Sequence, residues 1–170
     1  VSKQSRSWLL IVGMVLLMGI VSLARLSQRS ARPADAVVIA GTAVPPVPTL
    51  DPARVALGET VYATHCASCH GANLEGQADW GTLLENGLFR APPHDDSGHT
   101  WHHPDKVLIA ITTHGGAGVY ADPTLISNMP GFEDALTPEE IVAVLDFIKS
   151  CWSQESHEAQ WWMTVTSADR

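Results

Sequence analysis

At 170 residues the chain has room for one modest domain with flanking segments, and its formal net charge of −8 argues against nucleic acid as a partner. Three cysteines are too few for a disulfide-stapled fold, so the domain has to close around an apolar core, for which a hydrophobic content of 45% is sufficient. The charge is unevenly placed: residues 1–50 carry five basic and one acidic side chain, whereas residues 51–150 carry fourteen acidic and four basic ones. The acidic stretch calls for partners that are basic or that dock by apolar contact, unless it is simply a solvated surface.

After a short N-terminal segment, residues 1–7, no charged residue occurs between Arg6 and Arg25, and Trp8 to Val21 is apolar apart from glycines. At 1.5 Å per residue such a helix is about 27 Å long, close to a hydrocarbon core, and predicts a single transmembrane anchor over 8–26. A cleaved signal peptide is the competing reading, because Ser22-Leu23-Ala24 has a small-x-small pattern. Lys3 and Arg6 before the segment and Arg25, Arg29 and Arg32 after it leave its orientation undecided by charge. Residues 27–50 turn to Ala, Pro, Val and Ser, ending near Pro45-Pro46-x-Pro48, and read as an extended tether of about 3.1 Å per residue. Within it, Ala36 to Ala40 is more apolar than a free linker requires.

Asp51-Pro52 reads as an N-cap and first-turn proline, and Val55, Leu57, Val61 and Tyr62 supply apolar matter for a helix running into Cys66. Gly58 costs that helix about 1 kcal/mol relative to alanine, a cost that close approach of another helix explains. Next comes Cys66-Ala67-Ser68-Cys69-His70. Two thiols at this spacing can add to the vinyl groups of a heme, and the histidine directly after them is then held against the iron. A tetrahedral zinc site would need a second cysteine pair, and a thioredoxin-like dithiol would need a βαβ context; neither is present.

The tract from Ala91 to Asp105 is rich in His, Pro and Asp and reads as a loop leading into a short helix, Pro104 to about Thr113. His94, His99, His102, His103 and His114 all lie between the heme motif and the last helix, so a second imidazole ligand is conceivable. His99, His102 and His103 with His94 or Asp95 are also the residue types of a copper or zinc site, although solvated imidazoles explain them equally. Trp101 is either a heme-wall contact or a core aromatic. In Ser127-Asn128-Met129-Pro130-Gly131-Phe132, a thioether on a loop stiffened by proline offers a soft, neutral second ligand; a buried core methionine is the rival reading. Thr137-Pro138-Glu139-Glu140 forms a capping box, and Ile141, Val144, Leu145 and Ile148 follow at helical spacing to about Ser150. That helix is expected to bring Leu145 or Ile148 onto the surface that Gly58 leaves open. Beyond it, residues 151–170 hold Cys151, read as an inert buried thiol, and Trp152, Trp161 and Trp162, which suit interfacial anchors, subunit contacts or packing onto the domain.

Gly58-x-x-x-Tyr62-x-x-x-Cys66-x-x-Cys69-His70 resembles the N-terminal helix of class I c-type cytochromes, and Met129-Pro130-x-Phe132 before the last helix resembles their methionine loop. The resemblance covers about the last two-thirds of the chain. It implies an all-α class I cytochrome c fold over 51–150, one covalently attached heme c on Cys66 and Cys69, and iron ligation by His70 and Met129. It further implies one-electron transfer between donor and acceptor proteins rather than catalysis, with the heme domain on the periplasmic side of a bacterial cytoplasmic membrane. The run from Ile148 to Trp152 is similar to an extension of bacterial membrane-linked monoheme cytochromes. With the anchor, it favours a subunit of a respiratory or photosynthetic membrane redox complex, such as alternative complex III. A free-standing anchored carrier is the nearest rival; a heme peroxidase and a copper- or zinc-binding protein are the more distant ones.

Overall fold

The computed structural model describes residues 36–119 and 127–167. The expected anchor over 8–26 and the first part of the tether lie outside these residues, and no helix among those described is long and apolar enough to cross a membrane. The described residues from Val38 onward belong to one compact unit.

The described residues open on a small hairpin, β1 (Val37–Ile39) and β2 (Thr42–Val44). Ala40 and Gly41 both have positive φ, the requirement of a two-residue turn whose twist matches the strands. Six helices follow: α1 (Pro52–His65), α2 (Ala67–His70), α3 (Asp105–His114), α4 (Gly116–Val119), α5 (Pro138–Ser150) and α6 (Gln154–Ser167). A 3-10 turn, Thr100–His102, precedes α3.

The caps form as their residues dictate. Asp51 accepts from the Ala53 N–H at 3.0 Å at the start of α1. Thr137 and Glu140 close a reciprocal capping box on α5: Glu140 N–H donates to Thr137 Oγ1 at 3.2 Å, and Thr137 N–H donates to the Glu140 carboxylate at 2.8 Å. These side-chain bonds replace the partners that the first backbone N–H groups of a helix lack.

The core forms where α1 crosses α5. Val61, Tyr62, Ile141, Val144, Leu145 and Ile148 are its buried members from these two helices, joined by Leu108 of α3 and by Leu74, Leu136 and Trp152 from outside the helices. At the crossing, a Cβ on Gly58 would be driven into the Ala143 carbonyl and would lie 2.9 Å from Phe147 Cβ. The partners of Gly58 are thus Ala143 and Phe147, not Leu145 or Ile148 as the apolar pattern implied. Tyr62, one turn on, meets Phe147 with ring centroids 5.3 Å apart.

One further expectation is corrected, and one left open is decided. Cys151 is exposed, because α5 ends at Ser150 and the cysteine sits beyond its last turn as the C-cap. The Trp-rich extension is a helix folded onto the domain: Trp152 is 8% exposed within the core, and its indole N–H donates to the His94 carbonyl at 2.7 Å. The fully buried Gln160 donates to the His103 carbonyl at 3.2 Å, and Asp105 N–H donates to Thr164 Oγ1 at 3.1 Å. Lys149 pairs with Asp105 at 2.6 Å between α5 and α3. Trp161 donates to the Pro45 carbonyl at 2.8 Å, so the last part of the expected tether also lies against this helix. Trp152→Ala is therefore expected to cost about 3–5 kcal/mol, as for other large aromatic truncations in cores. A lowered denaturant midpoint with the heme still attached is the expected reading, and an unchanged midpoint would mean that the extension is only an appendage.

Candidate functional site

Cys66, Cys69 and His70 sit on a single turn. Cys66 is at once the C-cap of α1 and the N-cap of α2, and its carbonyl receives the Cys69 N–H at 3.1 Å and the His70 N–H at 2.9 Å. The three-residue spacing places both sulfurs on the same side of this turn. Tyr62 anchors the far end: its hydroxyl donates to the Gly71 carbonyl at 3.0 Å. Burial, with Cys69 nearby, pushes the Cys66 thiol up to about 11, so it is a neutral thiol at neutral pH, whereas Cys69 lies exposed.

His70 is buried, and its Nδ1 lies 2.8 Å from the Pro92 carbonyl. A carbonyl only accepts, so Nδ1 carries the proton and Nε2 keeps a free lone pair for a metal. Burial also pushes His70 below the usual histidine range, the Pro92 bond opposing this in part. The carbonyl reaches His70 because the turn after the motif packs tightly on Pro92-Pro93. Gly76, at φ 67°, faces the Pro92-Pro93 backbone so closely that a Cβ would collide with it, and its N–H donates to the His70 carbonyl at 2.7 Å.

Met129 lies in the loop before α5, and this loop is braced by the end of α3 and the start of α4. Gly116 N–H donates to the Met129 carbonyl at 3.2 Å, and Phe132 N–H bonds the Thr112 and Thr113 carbonyls, each at 3.0 Å. Phe132, like Cys66 and Ala67, packs partly buried against the core cluster, and its ring meets His65, the residue before Cys66, edge-on at 6.1 Å.

The histidines separate into different environments. His94 stacks on His70, His99 stacks on Trp80 at 5.3 Å with His103 edge-on at 5.4 Å, and His102 stacks on Trp101 at 3.7 Å. His114 pairs with Glu133 at 3.2 Å on the surface. Among the described residues no three His, Cys, Asp or Glu side chains converge on a metal position, so the copper or zinc reading loses its geometric basis. Trp101 packs against the core, with its indole N–H 3.4 Å from the Asp96 carbonyl. Sequence reasoning weighs His94 only as an iron, copper or zinc ligand and misses its stack on His70.

Two thiols and an imidazole with a free Nε2, on one turn beside Leu74 and Phe132, suit a covalently held heme. The family model described as cytochrome c matches residues 55–152. The chain belongs to the cytochrome c family. Its cofactor is accordingly heme c, carried by the Cys66 to His70 motif. Among curated relatives, this cytochrome is 31% identical over 101 residues to the cbb3-type cytochrome c oxidase subunit CcoP of Rubrivivax gelatinosus, covering 59% of this chain and 27% of that protein. It is 26% identical over 103 residues to the cbb3-type oxidase subunit FixP of Sinorhizobium medicae, covering 61% and 32%. With the FixP subunit of a Bradyrhizobium strain it shares 27% identity over 121 residues, covering 70% and 36%. The cytochrome thus spans between about a quarter and about a third of these relatives. No solved structure matches it significantly.

Proposed function

We propose that this chain transfers single electrons as the monoheme domain of a membrane-anchored cytochrome subunit, in which His70 and Met129 would be the two side chains that hold the heme iron. The observation that carries the reading is the His70 Nδ1 bond to Pro92, which frees Nε2 on the same turn as two thiols. Heme c, when bound, supplies the centre that takes up and releases one electron. Cys66 and Cys69 hold it by thioether bonds, and His70 is fixed in ring plane and tautomer by the Pro92 carbonyl. Met129 supplies a soft, neutral sulfur on a loop braced by backbone bonds to the end of α3. Leu74 is buried in the core cluster, and Phe132 packs against it.

In this reading, residues 8–26 form the anchor and the heme domain faces the periplasm. The names of the relatives favour a terminal oxidase as the parent complex over alternative complex III. The acidic domain surface suits a donor or acceptor with a basic docking face.

Membranes holding the full chain, solubilised in mild detergent, should yield the cytochrome together with other oxidase subunits. Its heme should remain on the polypeptide through denaturation and acid-acetone extraction. Extraction of the heme would sink covalent attachment. Retained heme on a chain that runs alone would favour the free-standing carrier.

A further inference from the structure

His94 lies against the face of His70 that the polypeptide covers. The two imidazoles are stacked, with centroids 3.9 Å apart and planes at 19°. His94 is held on several sides. Its backbone N–H donates to the Leu74 carbonyl at 2.7 Å, and its carbonyl accepts the Trp152 indole N–H at 2.7 Å. Its ring meets Tyr62 edge-on at 6.2 Å, and its Nδ1 lies 2.8 Å from Thr100 Oγ1. Thr100 in turn donates its hydroxyl proton to the Pro93 carbonyl at 3.3 Å. With that proton committed, His94 Nδ1 is the donor to Thr100. The two rings are therefore tied, one directly and one through a hydroxyl, to the consecutive carbonyls of Pro92 and Pro93.

A ring so placed is not itself a candidate to hold the iron beside His70, since it lies flat on His70. It can act on His70 in two ways. It blocks rotation of the His70 ring about its Cβ–Cγ bond, and it presents an aromatic face to an imidazole that gains positive charge when the metal it binds is oxidised. We propose that His94 is a positioning residue for His70: the stack sets the plane of the proximal imidazole and stabilises the oxidised state of the site. The inference rests on His70 being the iron ligand.

The proposal distinguishes a stacking partner from a filler of volume. His94→Leu fills most of the space without an aromatic face; His94→Phe keeps the face and leaves Thr100 bonded to Pro93. Both are made in the full chain and compared by heme-methyl NMR shifts of the ferric protein, which report the His70 plane, and by redox titration. The expected result is that His94→Leu keeps its covalent heme, changes the spread of heme-methyl shifts and raises the midpoint potential. His94→Phe should return both towards wild type. Thr100→Val, with His94 in place but its ring untethered, should move the shift pattern in the direction of His94→Leu by a smaller amount, and it serves as the test if the His94 variants fail to fold. Shift patterns and potentials unchanged in every folded variant would overturn the proposal, as would a His94→Phe protein indistinguishable from His94→Leu. A low-spin spectrum that survives His70→Ala would instead overturn His70 ligation, and the inference with it.

Discussion

Met129→His is expected to lower the midpoint potential by on the order of 0.2 V, a part of the roughly 0.8 V over which axial ligation moves heme proteins. A thioether is a soft, weakly donating ligand that favours the ferrous state, whereas imidazole donates more strongly and favours the ferric one. The covalent attachment through Cys66 and Cys69 is untouched by the exchange, so the protein should keep its heme and lose its driving force towards a high-potential acceptor. Met129→Ala should leave the sixth position to water or small ligands, with loss of the weak long-wavelength sulfur band of the ferric protein. The loop itself should survive either change, because it is held by backbone bonds from Gly116 and Phe132 and not by the methionine side chain. Redox titration and the ferric spectrum check this. A potential and spectrum unmoved by Met129→Ala would remove Met129 from the ligand set.

The second large effect is expected at Gly58. In an isolated helix, alanine is better than glycine by about 1 kcal/mol, so propensity alone predicts a gain from Gly58→Ala. The crossing reverses the sign. A Cβ there meets the backbone carbonyl of Ala143, which cannot move without shifting α5, and Phe147 Cβ at 2.9 Å. Forced overpacking of this kind costs about 1–3 kcal/mol, and contact with backbone puts the expectation at the upper end of that range. Gly58→Val should be worse, because its two γ carbons enter the same space. Denaturant unfolding of the holo protein measures both, with a midpoint equal to or above wild type for Gly58→Ala as the contrary result. Since α5 follows directly on the Met129 loop, the less stable variants should also lose the sulfur band at lower denaturant than they lose helicity.

The parts that could be read from the chain are those whose cause is local. Thr137 and Glu140 cap α5 across three residues, Asp51 caps α1 across two, and the heme motif is complete within one turn. The wide apolar face of α5 announced a buried helix but not its rotation, so Ala143 and Phe147 at the Gly58 crossing were not separable from Leu145 and Ile148. Cys151 was expected inside because free cysteines usually are. Its exposure follows from falling one residue past the end of α5. The extension gave the weakest signal, since α6 is held largely by polar contacts of Gln160, Thr164 and Trp161 with residues 55 to 116 positions away, and these leave no apolar period.

The motif and the Met129 loop were thus sufficient by themselves to name heme c, its two thioether attachments and the candidate ligands, because thiol spacing, the adjacent imidazole and the proline-stiffened thioether are properties of short segments. Only the tertiary structure decided what surrounds them. The carbonyl that orients His70 comes from Pro92, 22 residues away, and the ring stacked on it comes from His94; both are brought there by a tight turn at Gly76 and locked from behind by Trp152. Burial, stacking and the choice of hydrogen-bond acceptor depend on which distant segments share one small volume, and that is settled by packing of the whole core rather than by any pattern along the chain.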